Sequence, residues 1–234
     1  MLYIFAIIII TLLIIILLYS NSYKLKNIRD ISLLGSTNFG ELKSGDIVLT
    51  KWNHSFMPFY LMRNVLYTTA TRDIYTHAGI IWKDKDGEPY IVHYMINNPS
   101  KCYLHNEKPF TGLNVNKLKE FMSLYSGNVF ICKINKELNS DEMDYFIKQS
   151  KDHEFYTSSL ELLNCHFRFK DKWVDKNFCT TFLVKLLNYC KVTDNSYNNL
   201  TPGDYAKGDR LVLINGYKFS KPRILLGYGK NNVF

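Results

Sequence analysis

The sequence lacks a regular cysteine framework. Its five cysteines are an odd number at irregular spacing in 234 residues. This pattern excludes a small secreted domain held together by disulfides. The pairs Cys102/His105 and Cys165/His166 fit no common zinc module, so we expect no metal ion and no cofactor. The five cysteines are Cys102, Cys132, Cys165, Cys179 and Cys190.

The chain also lacks a basic run, although its formal net charge is +8. The positive charges are scattered, and no known nucleic-acid-binding module is recognisable, so we expect no nucleic-acid partner. A basic surface that faces anionic lipid headgroups is the simpler interpretation. Membrane lipids are therefore the expected partner of this surface.

Charge is absent from the apolar run Leu2–Tyr19. As a helix this run would be about 27 Å long, close to the ~30 Å hydrocarbon core of a bilayer. The alternative is a cleaved signal peptide, but no Lys or Arg precedes the run as such a peptide requires. The run predicts a single-pass anchor. Lys24, Lys26 and Arg29 follow it, so we expect the remaining chain to lie on the cytosolic side of the membrane.

The chain divides into an anchor (1–20), a juxtamembrane linker (21–39) and one globular domain (40–234). Alternating strand and helix patterns in that domain predict an α+β fold with a small antiparallel sheet. The Asp86-Gly87 pair between two apolar runs predicts a hairpin. The expected strands are 46–51, 75–82, 90–95 and 128–135, with a last hairpin within 210–219; the expected helices are 56–71, 114–125, 139–150 and 177–190.

Two histidines lie in the strands of the predicted hairpin. A hairpin symmetric about Lys85 places His77 directly opposite His93, with Cβ atoms ~5 Å apart. A turn centred on Asp86-Gly87 would shift this pairing by about three positions. Structural histidines bonded to the backbone are the alternative interpretation, but two of them in facing strands favour a joint function.

Cys179 lies in the first turn of the predicted helix 177–190, with Asn177 as the expected N-cap. The positive end of the helix dipole and the unpaired backbone N–H groups there favour a thiolate and lower the pKa of a thiol. The same N–H groups can stabilise an oxyanion. The alternative is a small buried apolar residue, which is how most free cysteines behave. In the catalytic interpretation Cys179 is the nucleophile, His77 the general base and His93 the group that orients the base.

Five motifs occur in a characteristic order: "GDIVLT", "THAGIIW", "EPYIVHYM", "NFCTTFLVKLLNYC" and "LTPGDYA". Together they resemble the circularly permuted NlpC/P60 superfamily of papain-like cysteine enzymes, and most of all its YiiX/YaeF-like branch with poxviral relatives. The resemblance covers roughly Leu42 to Ala206. It implies that Cys179 is the nucleophile, His77 the base and His93 the third polar residue. YiiX-like members usually have Glu where His93 stands and often Ser-Glu where this chain has Thr180-Thr181.

These observations predict a membrane-anchored cysteine hydrolase or acyltransferase that acts on an amide, ester or thioester. The anchor implies a substrate near the bilayer, such as a lipid, a lipidated protein or a peptide. The alternative from another class is a catalytically silent membrane or virion-envelope protein that uses the same fold for binding.

Overall fold

The computed structural model of the chain describes residues 9–14, 39–52, 73–95, 102–105, 111–124, 127–151, 175 and 177–226. The strands are β1 (Ile47–Trp52), β2 (His77–Lys83), β3 (Pro89–Met95), β4 (Gly112–Lys117), β5 (Gly127–Cys132) and β6 (Arg223–Leu226). The helices are α1 (Leu118–Leu124), α2 (Ser140–Gln149), α3 (Cys179–Tyr189) and α4 (Pro202–Lys207), with 3₁₀ turns at Phe39–Glu41 and Tyr103–His105. The predicted α+β class is confirmed.

Only part of the predicted anchor belongs to the described residues. Residues 9–14 are helical, and the large side chains in this stretch, such as Ile9 and Leu12, are about half exposed. Among the residues that the structure describes, no helix is long and apolar enough to cross a membrane. The predicted helix 56–71 lies outside the described residues.

The strands form one antiparallel sheet in the order β4-β3-β2-β1-β5-β6. The β2–β3 hairpin turns through Asp84–Gly87, where Gly87 has a φ of 80° and the Asp84 side chain accepts the backbone N–H groups of Asp86 and Glu88. Positive φ is easily adopted by glycine, so this Asp-Gly pair suits the turn. The predicted hairpin is confirmed.

The register of this hairpin corrects the predicted facing pair. Strands β2 and β3 pair from Lys83↔Pro89 to Ile80↔Val92. Continuing that register puts His93 opposite Gly79, which is two residues away from His77. Because the offset is even, both histidines still project from the same face of the sheet. They are diagonal neighbours, and the expectation that they lie directly opposite each other is wrong.

Each face of the sheet carries its own apolar cluster. One face packs against α2 and α3, and its apolar cluster includes Ala78 and Ile80 of β2 and Phe182 and Leu183 of α3. The other face packs against α1 through Ile81, Ile91 and Phe121, among others. Side-chain alternation places His77 and His93 on the α1 face. Helix α3 therefore covers the opposite face from the histidines, and its first residue, Cys179, lies beside the backbone of Ala78 at the start of β2.

Two other predicted elements differ from the structure. The expected helix 114–125 begins only at Leu118, because Gly112–Lys117 is a strand in which Leu113 and Val115 alternate with Asn114 and Asn116. In the predicted hairpin 210–219 the turn exists, since Asn215 and Gly216 have positive φ. Its two sides pair with different partners, through the single bridges Thr193↔Leu213 and Ile134↔Phe219.

Helix α4 packs against the segment that leads into β2, through contacts of Asp73 with both ends of the helix. The Asp73 carboxylate accepts the backbone N–H groups of Ile74 and Tyr75 and lies 3.0 Å from Lys207 Nζ. A Cβ atom at Gly203 would lie 2.0 Å from Asp73 Oδ2. The glycine of the "LTPGDYA" motif thus permits the close approach that fixes the chain just before His77.

Gly203→Ala is expected to lower the free energy of unfolding by about 2 kcal/mol, because the new methyl group overpacks a buried carboxylate. Urea unfolding of both proteins measures the loss. Gly208→Ala is the matched control at the other end of α4, where a Cβ would meet nothing within 4 Å and only the positive φ of 72° is unfavourable. Equal losses in the two variants would contradict the steric argument.

Candidate active site

The structure joins the two predicted histidines directly. Nε2 of His77 lies 2.8 Å from Nδ1 of His93, which is hydrogen-bonding distance. The rings meet edge to face with centroids 5.1 Å apart, and Phe121 of α1 also packs edge to face against His93. His93 is fully buried, whereas His77 is partly exposed. His77 is therefore the member of the pair that solvent can reach.

A third polar residue completes this row, and the sequence interpretation missed it. Nε2 of His93 lies 2.8 Å from the side-chain oxygen Oδ1 of Asn116 in β4, which is fully buried. Asn116 stands opposite Ile91 in the β3–β4 register, diagonal to His93 and on the same face. The signal was the alternation of Leu113 and Val115 with asparagines, which is the period of a strand.

Cys179 lies in the first turn of α3, as predicted, but it is the first residue of the helix, and the N-cap is Phe178 and not Asn177. Phenylalanine has no side-chain oxygen that could accept the backbone N–H groups of the first turn. Asn177 is instead fully buried, where it accepts the ammonium of Lys185 at 2.7 Å and donates to the Tyr94 hydroxyl. Asn177 thus fixes the chain before the cysteine, and at the helix terminus the side chain of Thr181 accepts the backbone N–H of Phe178 at 2.8 Å.

The sulfur of Cys179 is associated with the start of β2. Backbone N–H groups of Ala78, Thr180 and Cys179 act on the thiol and favour its ionised form. Ala78 directly follows His77 in the chain. Because Ile81 donates its N–H to the backbone carbonyl of Asp46, which directly precedes β1, the N–H of Ala78 points to the other side of the strand, towards β3. The thiol therefore lies beside Ala78, at the start of β2. The residues of β2 that pair with β3 begin only at Ile80.

Burial dominates the charge state of the thiol. Only 6% of Cys179 is exposed, and this burial raises its pKa to about 11 despite the three backbone N–H groups. The expectation that the helix terminus lowers the pKa of Cys179 below that of an ordinary thiol is therefore wrong for this state. At neutral pH the group is a protonated thiol.

Both histidines are neutral at the same pH. Burial, and then the neighbouring His93, lower the pKa of His77 well below its usual 6.5. Burial lowers the pKa of His93 to about 4, although its hydrogen bond to Asn116 acts in the opposite direction. A neutral imidazole can accept a proton, so His77 has the charge state that a general base needs.

The buried histidine makes stability depend on pH. In the unfolded chain His93 takes up its proton near pH 6.5, whereas in the fold it does so only near pH 4. Between these values the unfolded state binds the extra proton, so stability falls as the pH falls. His93 alone is expected to contribute a loss of about 3 kcal/mol between pH 6.5 and 4. Urea unfolding at both pH values measures this loss of stability. In His93→Gln the loss should be smaller by the contribution of His93. If the variant and the native chain lost the same stability, His93 would not be the group responsible.

Comparison with protein-family models gives no match for this chain, and the search of curated proteins gives none either. The predicted membership of the NlpC/P60 superfamily therefore remains a prediction. Among the described residues, no group of three or more His, Cys, Asp or Glu side chains is placed to hold a metal ion.

Proposed function

We propose that the chain is a cysteine-dependent acyl hydrolase or acyltransferase with Cys179 as nucleophile and His77 as base. The hydrogen-bonded row His77–His93–Asn116 carries this proposal. In this row Nε2 of His77 is hydrogen-bonded to His93. Among the described residues, none is hydrogen-bonded to the other ring nitrogen of His77, Nδ1. That nitrogen is the one available for the thiol proton.

The chemistry starts from the neutral pair. His77 Nδ1 takes the thiol proton while the sulfur of Cys179 attacks the carbonyl carbon of an amide, ester or thioester. The backbone N–H groups at the start of α3 stabilise the oxyanion of the tetrahedral intermediate. On collapse the leaving group takes the proton from His77, and a thioester remains on Cys179. Water or an acyl acceptor, deprotonated by His77, then attacks the thioester; the C–S bond breaks, and the proton on His77 returns to the sulfur of Cys179.

The resemblance to the permuted NlpC/P60 superfamily supports the same roles for the same three residues, Cys179, His77 and His93. Leu2–Tyr19 supports a single-pass anchor, with the domain on the cytosolic or virion-interior side. A tethered site meets substrates at the bilayer, so the proposed substrate is a lipid, a lipidated protein or a peptide held at the membrane.

A catalytically silent binding protein is the second candidate, and the state of the thiol favours it. A thiol that is only 6% exposed, with a pKa raised to about 11, is a poor nucleophile as it stands. In that case the same fold would serve only to bind a partner at a membrane or a virion envelope.

An electrophilic acyl probe separates the two candidates. The full chain in detergent micelles is mixed with a fatty acyl p-nitrophenyl ester, and the labelled peptide is identified by mass spectrometry. An enzyme should carry the acyl group on Cys179 and release it over time. A silent protein should show no acylation faster than that of the buried Cys132 or Cys190, whose pKa values burial raises to about 12.

A further inference from the structure

We propose that Asn116 is a positioning residue, which determines the ring nitrogen of His77 that carries the proton. The inference rests on the proposed function for its catalytic meaning, but the proton arrangement itself can be tested without any substrate. Neither the motifs nor the resemblance pointed to this asparagine.

Three side chains from three neighbouring strands form one continuous row. Asn116 of β4 contacts His93 of β3 through Oδ1 and Nε2 at 2.8 Å, and His93 contacts His77 of β2 through Nδ1 and Nε2 at 2.8 Å. Asn116 and His93 are both fully buried. Each contact therefore needs one donor and one acceptor, because two facing acceptors in a buried row would be strongly unfavourable.

The amide oxygen sets the direction of the whole row. Oδ1 of Asn116 can only accept, so Nε2 of His93 must carry the hydrogen. A neutral imidazole has a single N–H, which makes Nδ1 of His93 an acceptor. Nε2 of His77 must then be the donor in the second contact. The lone pair of His77 is consequently left on Nδ1, the nitrogen that the mechanism uses as base.

A neighbouring asparagine shows that the contact is specific. Asn114 pairs directly with His93 across the β3–β4 ladder and is also fully buried on the same face. Its amide nitrogen nevertheless donates to the carbonyl of Gly112. The histidine nitrogen therefore selects the diagonal asparagine. Asn114→Leu removes a comparable buried amide from the same strand and is the matched control.

The direct measurement is the tautomer of His77 in the full chain, in detergent micelles at pH 9. Histidine-selective ¹⁵N labelling separates protonated from unprotonated ring nitrogens, and His77→Asn identifies the signals. We expect His77 and His93 both to carry hydrogen on Nε2. A hydrogen on Nδ1 of His77 would overturn the proposal, since the row would then run in the opposite direction with the amide of Asn116 reversed.

Variants at Asn116 test whether this residue is the cause. Asn116→Leu removes the acceptor, so we expect a mixture of both His77 tautomers and an acylation rate about 10-fold lower, because only part of the chains then keep the lone pair on Nδ1. Asn116→Asp keeps an oxygen acceptor and should retain the native tautomer at pH 9. Asn114→Leu should also leave the tautomer unchanged.

The outcomes distinguish this inference from the proposed function. The role of Asn116 would be overturned if folded Asn116→Leu kept the native tautomer of His77, or if Asn116→Asp did not keep it. This holds even if the native chain is an active enzyme. If Asn116→Leu does not fold, the native and Asn116→Asp spectra still decide. A native chain that is never acylated would refute the proposed function while its ¹⁵N spectrum still tests the proton arrangement.

Discussion

Cys179→Ala is expected to reduce acylation of the chain by a fatty acyl ester to the rate of the uncatalysed background. The reason is that alanine has no atom that can form the thioester, and none of the other described cysteines is the first residue of a helix. Rapid-quench measurement of the acyl-protein, at equal concentrations of folded chain, gives the rate.

Cys190→Ala is the matched control for this result. Cys190 follows the C-terminal end of the same helix, is 9% exposed and has a pKa that burial raises to about 12. The substitution should leave the acylation rate unchanged. If Cys179→Ala were acylated as fast as the native chain, Cys179 would not be the nucleophile.

His77→Ala is expected to lower the single-turnover acylation rate about 10³-fold, which is within the usual contribution of a general base. Because burial keeps the thiol protonated at neutral pH, the reaction depends on a neighbouring group that takes its proton. His93 acts one step away, because it affects the tautomer and position of the base but not its existence, so His93→Gln should lower the rate less than His77→Ala does. His93→Glu, which has the residue usual in the YiiX-like branch, should retain more activity than His93→Gln.

The comparison of the two histidines determines which one is the base. All variants are measured at equal folded concentration, because His93 is fully buried and its replacement also affects stability. If His93→Glu were as inactive as Cys179→Ala while His77→Ala stayed active, the roles of the two histidines would be exchanged.

Local patterns in the sequence were sufficient to predict most of the framework. Apolar alternation and an Asp-Gly turn predicted β2 and β3, and the expected helix 139–150 corresponds to α2, where the side chain of Asn139 accepts two backbone N–H groups. These elements depend on interactions between residues that are near in sequence. The α+β class and the helix that begins at Cys179 followed from the same kind of signal.

Features that depend on distant partners could not be predicted in the same way. The β4 segment was mistaken for a helix because its asparagines look like surface residues, whereas Asn116 is buried by its contact with His93. The register of the hairpin is determined by the sheet as a whole, so the sequence left it open by a few positions. The pKa of Cys179 depends on how deeply α3 packs, and this burial outweighs the effect of the helix terminus.

The most direct test of the proposed site is the distance between the Cys179 sulfur and Nδ1 of His77 in a crystal structure of the full chain. The mechanism needs a direct proton transfer between these two atoms, so we expect a separation of about 4 Å or less, in the free or the acylated state. A separation of more than about 8 Å, with no movable segment between the two residues, would contradict a catalytic Cys179–His77 pair.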